Sequence, residues 1–249
     1  MAASIKPDQH SSKSKTQQVR EMFDKISGHY DFLNHFLSFG IDVLWRKKMV
    51  HMAKKTGAKR ILDIATGTGD QAIMMARRLH PDRIDAVDLS EKMMDIGREK
   101  ARKKGFGDKI FFQKADCQSL PFDHNTFDLV TISFGVRNFE NLAQSLSEIH
   151  RVLKPGGMLL ILEFSRPTQF PVKQGYSFYT KYVLPLVGKI VSRDPRAYTY
   201  LPESIQAFPA GKNFINLLRS DGFLATRFTP LTGGIATIYS ALKPRQELQ

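Results

Sequence analysis

Asp63, the turn Ala65-Thr66-Gly67-Thr68-Gly69-Asp70, Asp88, Asp116-Cys117 and Ser133 follow one another at intervals that suit the capture of a nucleoside. Glycines at 67 and 69 let the backbone turn tightly and bring N–H groups close to a ligand at a helix N-terminus. Gly67-x-Gly69-x-x-Ala72 also fits the degenerate dinucleotide pattern. Two cofactors therefore compete, a nicotinamide dinucleotide and S-adenosylmethionine. Charge separates them. A pyrophosphate needs N–H groups and no carboxylate nearby, yet Asp63 ends a strand and Asp70 opens a helix on either side of the spot. Two carboxylates suit a ligand with an ammonium and a sulfonium. Asp88 lies 21 residues beyond Gly67 and would accept from ribose hydroxyls in either case. Asp116 and Cys117 would sit beside the adenine, and Ser133 would face the reacting end. Each residue also has a plainer reading: Asp70 as a helix-start acid, Asp116 as a turn acid, Cys117 as a small core filler. Their recurrence at successive strand ends favours a site.

Such a site needs strands that end side by side. Arg60–Ala65 reads as a strand, Asp70–Leu79 as a helix and Ile84–Asp88 as a strand. Ser90 caps a helix running to Lys104, because its hydroxyl satisfies free N–H groups there. Ile110–Ala115 and Phe127–Ser133 read as strands. Leu142–Leu153 reads as a helix stopped by Pro155-Gly156-Gly157, and Met158–Glu163 as a strand. These strands are too apolar to have a wet face. The rhythm implies an α/β, doubly wound, mostly parallel sheet covered by helices on both sides. Near the end of the chain, a helix at Phe214–Leu218 precedes strands Phe223–Phe228 and Ile235–Leu242. Only a Gly233-Gly234 turn separates those two strands, so they must be antiparallel. Seven strands result.

Two segments decorate this plan. From Val19 to Ala53 apolar and aromatic residues recur at helical spacing, with a break near Gly40, which predicts a helical N-terminal extension. Residues 1–18 are polar and read as a flexible tail, leaving 19–249 as a single domain. The insertion 165–209 gathers Tyr176, Tyr179, Tyr182 and Tyr200 with Lys173 and Lys181. It reads as a lid over the carboxyl edge of the sheet, where open α/β sheets bind ligands.

The chain has 249 residues, enough to bury a sizeable core. No stretch approaches the ~18 apolar residues of a membrane span. The N-terminus lacks the apolar region of a secretory signal, and the single cysteine, Cys117, has no internal partner, so a cytoplasmic setting is expected. A net charge of +13 favours anionic partners without choosing among them. The basic residues are scattered and no separate nucleic-acid module is present, so no nucleic acid partner is expected.

The order Asp63, Gly67-x-Gly69, Asp88, Asp116, Phe127-Asp128-Leu129-Val130 and Leu153-Lys154-Pro155-Gly156-Gly157 resembles the class I methyltransferase superfamily. Tyr30-Asp31-Phe32-Leu33-Asn34-His35-Phe36-Leu37-Ser38 with Trp45 looks like the first signature of the menaquinone/ubiquinone biosynthesis C-methyltransferases, the UbiE/MenG family. Arg151 to Arg166 looks like the second. Ser133-Phe134-Gly135-Val136-Arg137-Asn138 and Tyr200-Leu201-Pro202-Glu203-Ser204-Ile205 are similar too. The resemblance runs from about Val19 to Leu242. It departs at Leu33, where the family has Met, and at Asp42, where it has His, which argues against that histidine being the essential base here. Ala65-Thr66 replaces a more Gly-rich turn.

The resemblance implies S-adenosylmethionine as cofactor, S-adenosylhomocysteine as product and a polyprenyl quinol as acceptor. That acceptor is demethylmenaquinol or, alternatively, the benzoquinol precursor of ubiquinone; an RNA or other small-molecule acceptor is the remoter alternative. It implies cofactor contacts from Thr68, Asp88, Asp116, Cys117 and Ser133, beside Asp63, Gly67 and Gly69. On the acceptor side, Arg137 is expected to stabilise a phenolate as a fixed cation, because guanidinium stays protonated. Tyr30, His29 and Asn138 are candidates to orient the quinol or relay its proton, and His29 has the most suitable intrinsic pKa. A basic, aromatic-rich insertion suits an enzyme that visits the anionic inner face of the cell membrane. A homo-oligomer is compatible with all of this.

Overall fold

The computed structural model describes residues 5–31, 35, 38–183 and 196–245, without the side chains of His29, Val183 and residues 196–198. Leu33, Asn34, Phe36, Leu37 and the part of the insertion from 184 to 195 lie outside the described residues. Helices α1 (Lys15–Ile26) and α2 (Ile41–Ala53) precede β1 (Arg60–Ile64), α3 (Asp70–Leu79), β2 (Arg83–Asp88) and α4 (Glu91–Lys103). Then come β3 (Ile110–Lys114), β4 (Phe127–Ser133), α5 (Leu142–Val152) and β5 (Leu153–Phe164). The insertion contributes α6 (Val172–Phe178), a π-helical turn (Tyr179–Val183) and α7 (Arg196–Ala207). Helix α8 (Lys212–Ser220) and strands β6 (Leu224–Leu231) and β7 (Ala236–Leu242) finish the chain.

All seven strands form one sheet in the order β3-β2-β1-β4-β5-β7-β6. Every pairing is parallel except those of β7, which runs antiparallel to both β5 and β6. Alternation along the strands feeds two cores. Leu62, Ile64, Val130, Ile132, Leu159 and Ile161 pack on one face, and Ile61, Leu129, Leu160 and Leu162 on the other. Side chains buried this fully contribute about 1.5–3 kcal/mol each relative to exposure. The strand order reverses between β1 and β4, so their carboxyl ends open a crevice there. Ile64 and Ile132 are paired at that end.

Two local expectations are corrected. The strand after α5 begins at Leu153, not Met158. Pro155-Gly156-Gly157 lies inside β5 and produces the register shift between Phe127 and Leu129 of β4. A side chain at Gly157 would stand 2.8 Å from the Lys154 carbonyl, so only glycine fits that bend. Helix α1 starts at Lys15, inside the segment expected to be a tail. Ser14 and Gln17 form a reciprocal capping box, which fixes the start. Glu140 accepts from the N–H groups of Lys15 and Thr16, at 3.2 and 3.1 Å. The buried Lys15 ammonium donates to the carbonyls of Arg137 and Phe139, at 3.0 and 3.1 Å. These contacts with a distant loop fasten α1 across the sheet's carboxyl edge. No helix among the described residues is long and apolar enough to cross a membrane.

Candidate active site

The turn after β1 has the backbone that its glycines predict: Gly67 and Gly69 have φ of 55° and 78°, and Gly69 is the N-cap of α3. Ala65 also sits in the left-handed region, at φ 52°. Its methyl fills the space beside Gly135, where an added Cβ would lie 2.4 Å away. Asp88 ends β2 opposite the turn. Its carboxylate accepts from Gly67 N–H at 2.8 Å and from Ser90 N–H at 2.9 Å. Burial pushes its pKa up, against those N–H groups.

Three neighbouring compartments share lining residues here. The first, about 80 Å³, is lined by Asp88, Ser90, Asp116, Cys117, Ser133 and Asn138 among others. Asp116 is held by Gln118 N–H at 2.9 Å. Cys117 is buried, its thiol directed to the Ser145 carbonyl, and burial pushes its pKa up, so it stays a neutral wall. Ser133 Oγ is buried without a hydrogen-bond partner in the protein. A pocket between acidic strand ends, with an orphaned hydroxyl in its lining, fits a nucleoside.

The second compartment is polar and lies under the turn, lined by Asp63, Thr68, Asp70, Gln71, Arg46 and Ser133 among others. Asp63 accepts from Thr66 and Thr131 hydroxyls at 2.7 and 2.6 Å. Burial raises its pKa to about 6 despite those bonds. Asp70 departs from the expectation of a free carboxylate. Lys100 reaches it from α4, and His35 Nε2 lies 3.5 Å away. Burial alone would raise the Asp70 pKa, but Lys100 brings it below the ordinary range. Lys100 also binds Asp31, and Thr68 donates its hydroxyl to Asp31. Asp63 is thus the carboxylate left to meet a cationic ligand.

That difference makes a pH prediction. A bound ammonium favours ionised Asp63, so affinity for S-adenosylhomocysteine should fall as pH drops through about 6 and level off above it. In the ligand-free protein the sign is opposite. The stability from a raised carboxyl pKa is complete below about pH 4 and is lost as pH rises through 6. Asp63→Asn should therefore stabilise the free protein at pH 7 by on the order of 2–3 kcal/mol and flatten the affinity profile between pH 5 and 7. Calorimetric titration across that range is the check.

The third compartment is apolar, with a volume of about 340 Å³. Trp45, Phe134 and Phe164 line its base, Met22, Phe23 and Ile26 of α1 one wall, and Tyr176, Tyr179 and Tyr200 of the insertion another. Tyr30 lines all three compartments, and Phe134 lines the first and third. Burial pushes the Tyr30 pKa up, so its phenol is neutral.

Arg137 reaches the apolar cavity but is not a lone cation. Its Nη1 donates to Glu163 Oε1 at 2.7 Å, and both side chains are buried. The guanidinium lies over the Phe164 ring, with Nε unpartnered. Sequence reading missed Glu163 because it is distant in sequence and sits in an apolar strand. Asn138 accepts from the Tyr200 hydroxyl at 3.1 Å, so these two sites come together. His29 belongs to a short 3-10 turn, Ser27–His29, and its side chain lies outside the described residues. Arg46 and Gln71 were also missed. One follows an aromatic in a helix and the other looks like an ordinary helix residue, so only the fold reveals them.

A seven-stranded sheet with this reversal, a glycine turn and an acidic nucleoside pocket define a class I S-adenosylmethionine-dependent methyltransferase. Solved structures agree on the fold. The [4+2]-cyclase SpnF matches with a TM-score of 0.66 at 19% identity, covering 94% of this chain and 98% of that one. Phosphoethanolamine N-methyltransferase 2 of Haemonchus contortus, in complex with S-adenosyl-L-methionine, matches with a TM-score of 0.60 at 16% identity, covering 91% and 60%.

Residues 11–243 match the ubiE/COQ5 methyltransferase family, and the chain belongs to that family. A Bacteroides fragilis protein named demethylmenaquinone methyltransferase is 48% identical over 96% of this chain and 97% of its own. A Geobacter sulfurreducens protein named ubiquinone/menaquinone biosynthesis C-methyltransferase UbiE is 45% identical, covering 92% and 90%.

Proposed function

We propose that the chain transfers a methyl group from S-adenosylmethionine to a ring carbon of a polyprenyl quinol, converting demethylmenaquinol to menaquinol. The observation that carries this reading is the apolar cavity of about 340 Å³, which shares Phe23, Tyr30 and Phe134 as wall with the nucleoside pocket. A greasy aromatic acceptor fits such a space, and a charged or highly polar one does not.

The cofactor supplies an electrophilic methyl on a sulfonium when bound. Asp88 would hold the ribose, Asp116 and Cys117 would flank the adenine, Ser133 would meet the reacting end, and Asp63 with Thr68 would border the amino-acid end. A quinone carbon is electron-poor, so the reduced ring must be the nucleophile, more so as its phenolate. Transfer would require the ring carbon and the methyl to be held in line about 3–3.5 Å apart, which the wall shared by the two cavities would favour. Arg137, fixed by Glu163, steadies the developing phenolate, and its guanidinium keeps its own protons. Asn138 and Tyr200 orient a ring hydroxyl, and neutral Tyr30 closes the junction and donates a hydrogen bond. His29 is the proposed proton carrier.

The experiment is methyl transfer from labelled S-adenosylmethionine to short-chain demethylmenaquinol, the matching benzoquinol, each oxidised quinone, and RNA. Product from the reduced naphthoquinol alone is the expected result. The name of the Geobacter relative, which includes ubiquinone, favours a second reading, the benzoquinol, and product from that ring alone would establish it. Product from RNA alone, or from the oxidised quinones, would overturn the reading.

The reading extends to the membrane. Phe39, Phe178 and Tyr182 are 76, 62 and 55% exposed. Phe39 lines the cavity and its ring contacts Tyr179, so it stands at the mouth. Phe178 and Tyr182, in ring contact with each other at 5.1 Å, belong to the same stretch of the insertion as Tyr179. With Lys173 and Lys181 nearby and a charge of +13, this rim suits the anionic inner face of the cell membrane, with the rest of the protein in the cytoplasm. The insertion acts as the lid through which a prenyl tail enters. Anionic vesicles should retain the protein at low salt, and Phe39→Ser with Phe178→Ser should abolish retention. Equal retention of wild type and variant would remove the rim from this role.

A further inference from the structure

The polar compartment contains an unmet hydrogen-bonding demand. Gln71 is 2% exposed, and neither its amide oxygen nor its amide nitrogen has a partner. Arg46 is 6% exposed, and its Nε also has none. Ser133 Oγ, lining the same compartment, is a third orphan. Buried polar groups are rarely left so, and a buried guanidinium least of all.

Asp42, one turn before Arg46 on the same helix, does not satisfy it. Arg46 Nε stands 3.6 Å from Asp42 Oδ2, and neither atom makes a hydrogen bond. The Asp42 carboxylate instead accepts from Ser38 Oγ at 2.7 Å and faces His35 Nδ1 at 3.0 Å. Asp42 balances the charge of Arg46 from one side, and the Phe134 ring supports the guanidinium from another, 5.2 Å from its centroid. Arg46 is therefore held in place with donor capacity to spare, facing Asp63 and Gln71. Its charge is felt at Asp63, Asp70 and Tyr30, the other titratable groups around the compartment.

We infer that Arg46 and Gln71 bind the carboxylate of the cofactor's amino-acid end, opposite Asp63, which takes its ammonium. An α-amino acid group needs donors for one end and an acceptor for the other. The compartment supplies a cation and an amide on one side and one available carboxylate on the other. A guanidinium engages a carboxylate through two parallel N–H donors, which fixes orientation as well as charge. Anchoring that end aims the sulfonium at the junction beside Tyr30. The two residues thus select an intact amino-acid nucleoside over the nucleoside alone.

The inference rests on the cofactor assignment, and the test separates the two. Calorimetry would compare S-adenosylhomocysteine with 5′-methylthioadenosine, which lacks the amino-acid end. Arg46→Met should weaken the former about 30-fold or more and leave the latter within about twofold. Because Arg46→Met leaves the buried Asp42 with only His35 beside it as a basic partner, Gln71→Glu provides an independent variant. It sets a carboxylate against the ligand's own and should discriminate in the same direction. Equal weakening of both ligands, or no change in either, would overturn the inference. Failure of the wild type to bind either ligand would overturn the cofactor assignment and this inference with it.

Discussion

Glu163→Leu is expected to lower the thermal unfolding midpoint by about 10 °C. Glu163 is fully buried in β5 and provides the counter-charge for Arg137, whose side chain is 7% exposed. It also accepts from the backbone N–H groups of Arg137 and Phe164, at 3.2 and 2.8 Å. Removing it leaves an uncompensated guanidinium away from water, which costs about 3–5 kcal/mol. A chain of this size shifts by about 2–4 °C for each kcal/mol. The double variant Arg137→Met with Glu163→Leu should recover most of the lost stability, because an apolar pair replaces a buried ion pair well. Methyl transfer should be lost in that double variant, because Arg137 is gone, while binding of S-adenosylhomocysteine persists. Calorimetric unfolding of the single and double variants decides the matter. If the single variant melts with the wild type, the pair is not what holds Arg137.

Asp88→Ala should reduce affinity for S-adenosylhomocysteine by more than about 100-fold. A carboxylate accepting from two ribose hydroxyls loses two charge-assisted hydrogen bonds of about 1.5–3 kcal/mol each. It also releases the Gly67 and Ser90 N–H groups that it now holds, loosening both the turn and the start of α4. Unlike the variants at Arg46, this one should weaken 5′-methylthioadenosine just as severely, because both ligands carry the same ribose. Retained affinity for either ligand would place the ribose elsewhere.

The parts of this protein that could be read in advance are those written locally. Gly67 and Gly69 announce a backbone that other residues adopt with strain. Apolar runs such as Leu129 to Ile132 announce strands buried on both faces. The Gly233-Gly234 turn forces the last two strands to run antiparallel. The strand ends at Asp63, Asp88 and Ser133 followed from these, since a parallel sheet aligns its carboxyl ends. What could not be read depends on distance through the fold. Nothing near Arg137 in sequence predicts Glu163, 26 residues away on the neighbouring strand. Lys100 neutralises Asp70 only because α4 passes the start of α3. Gln71 looks like any polar helix residue until its amide is found buried and unpaired. Pro155-Gly156-Gly157 misled in the opposite way, because a strong local stop signal was absorbed as a bend within a strand.

The steric fit between Ala65 and Gly135 has a consequence for how this sequence can drift over generations. The two positions lie 70 residues apart, yet with a methyl at 65 there is no room for one at 135. A mutation at 135 that adds a side chain is a dead end unless 65 has first become glycine. The reverse order is open, because glycine at 65 only relieves a left-handed alanine. Lineages of this enzyme should therefore acquire bulk at 135 only by passing through glycine at 65, and the Ala65→Gly, Gly135→Ala double variant should fold where Gly135→Ala alone does not.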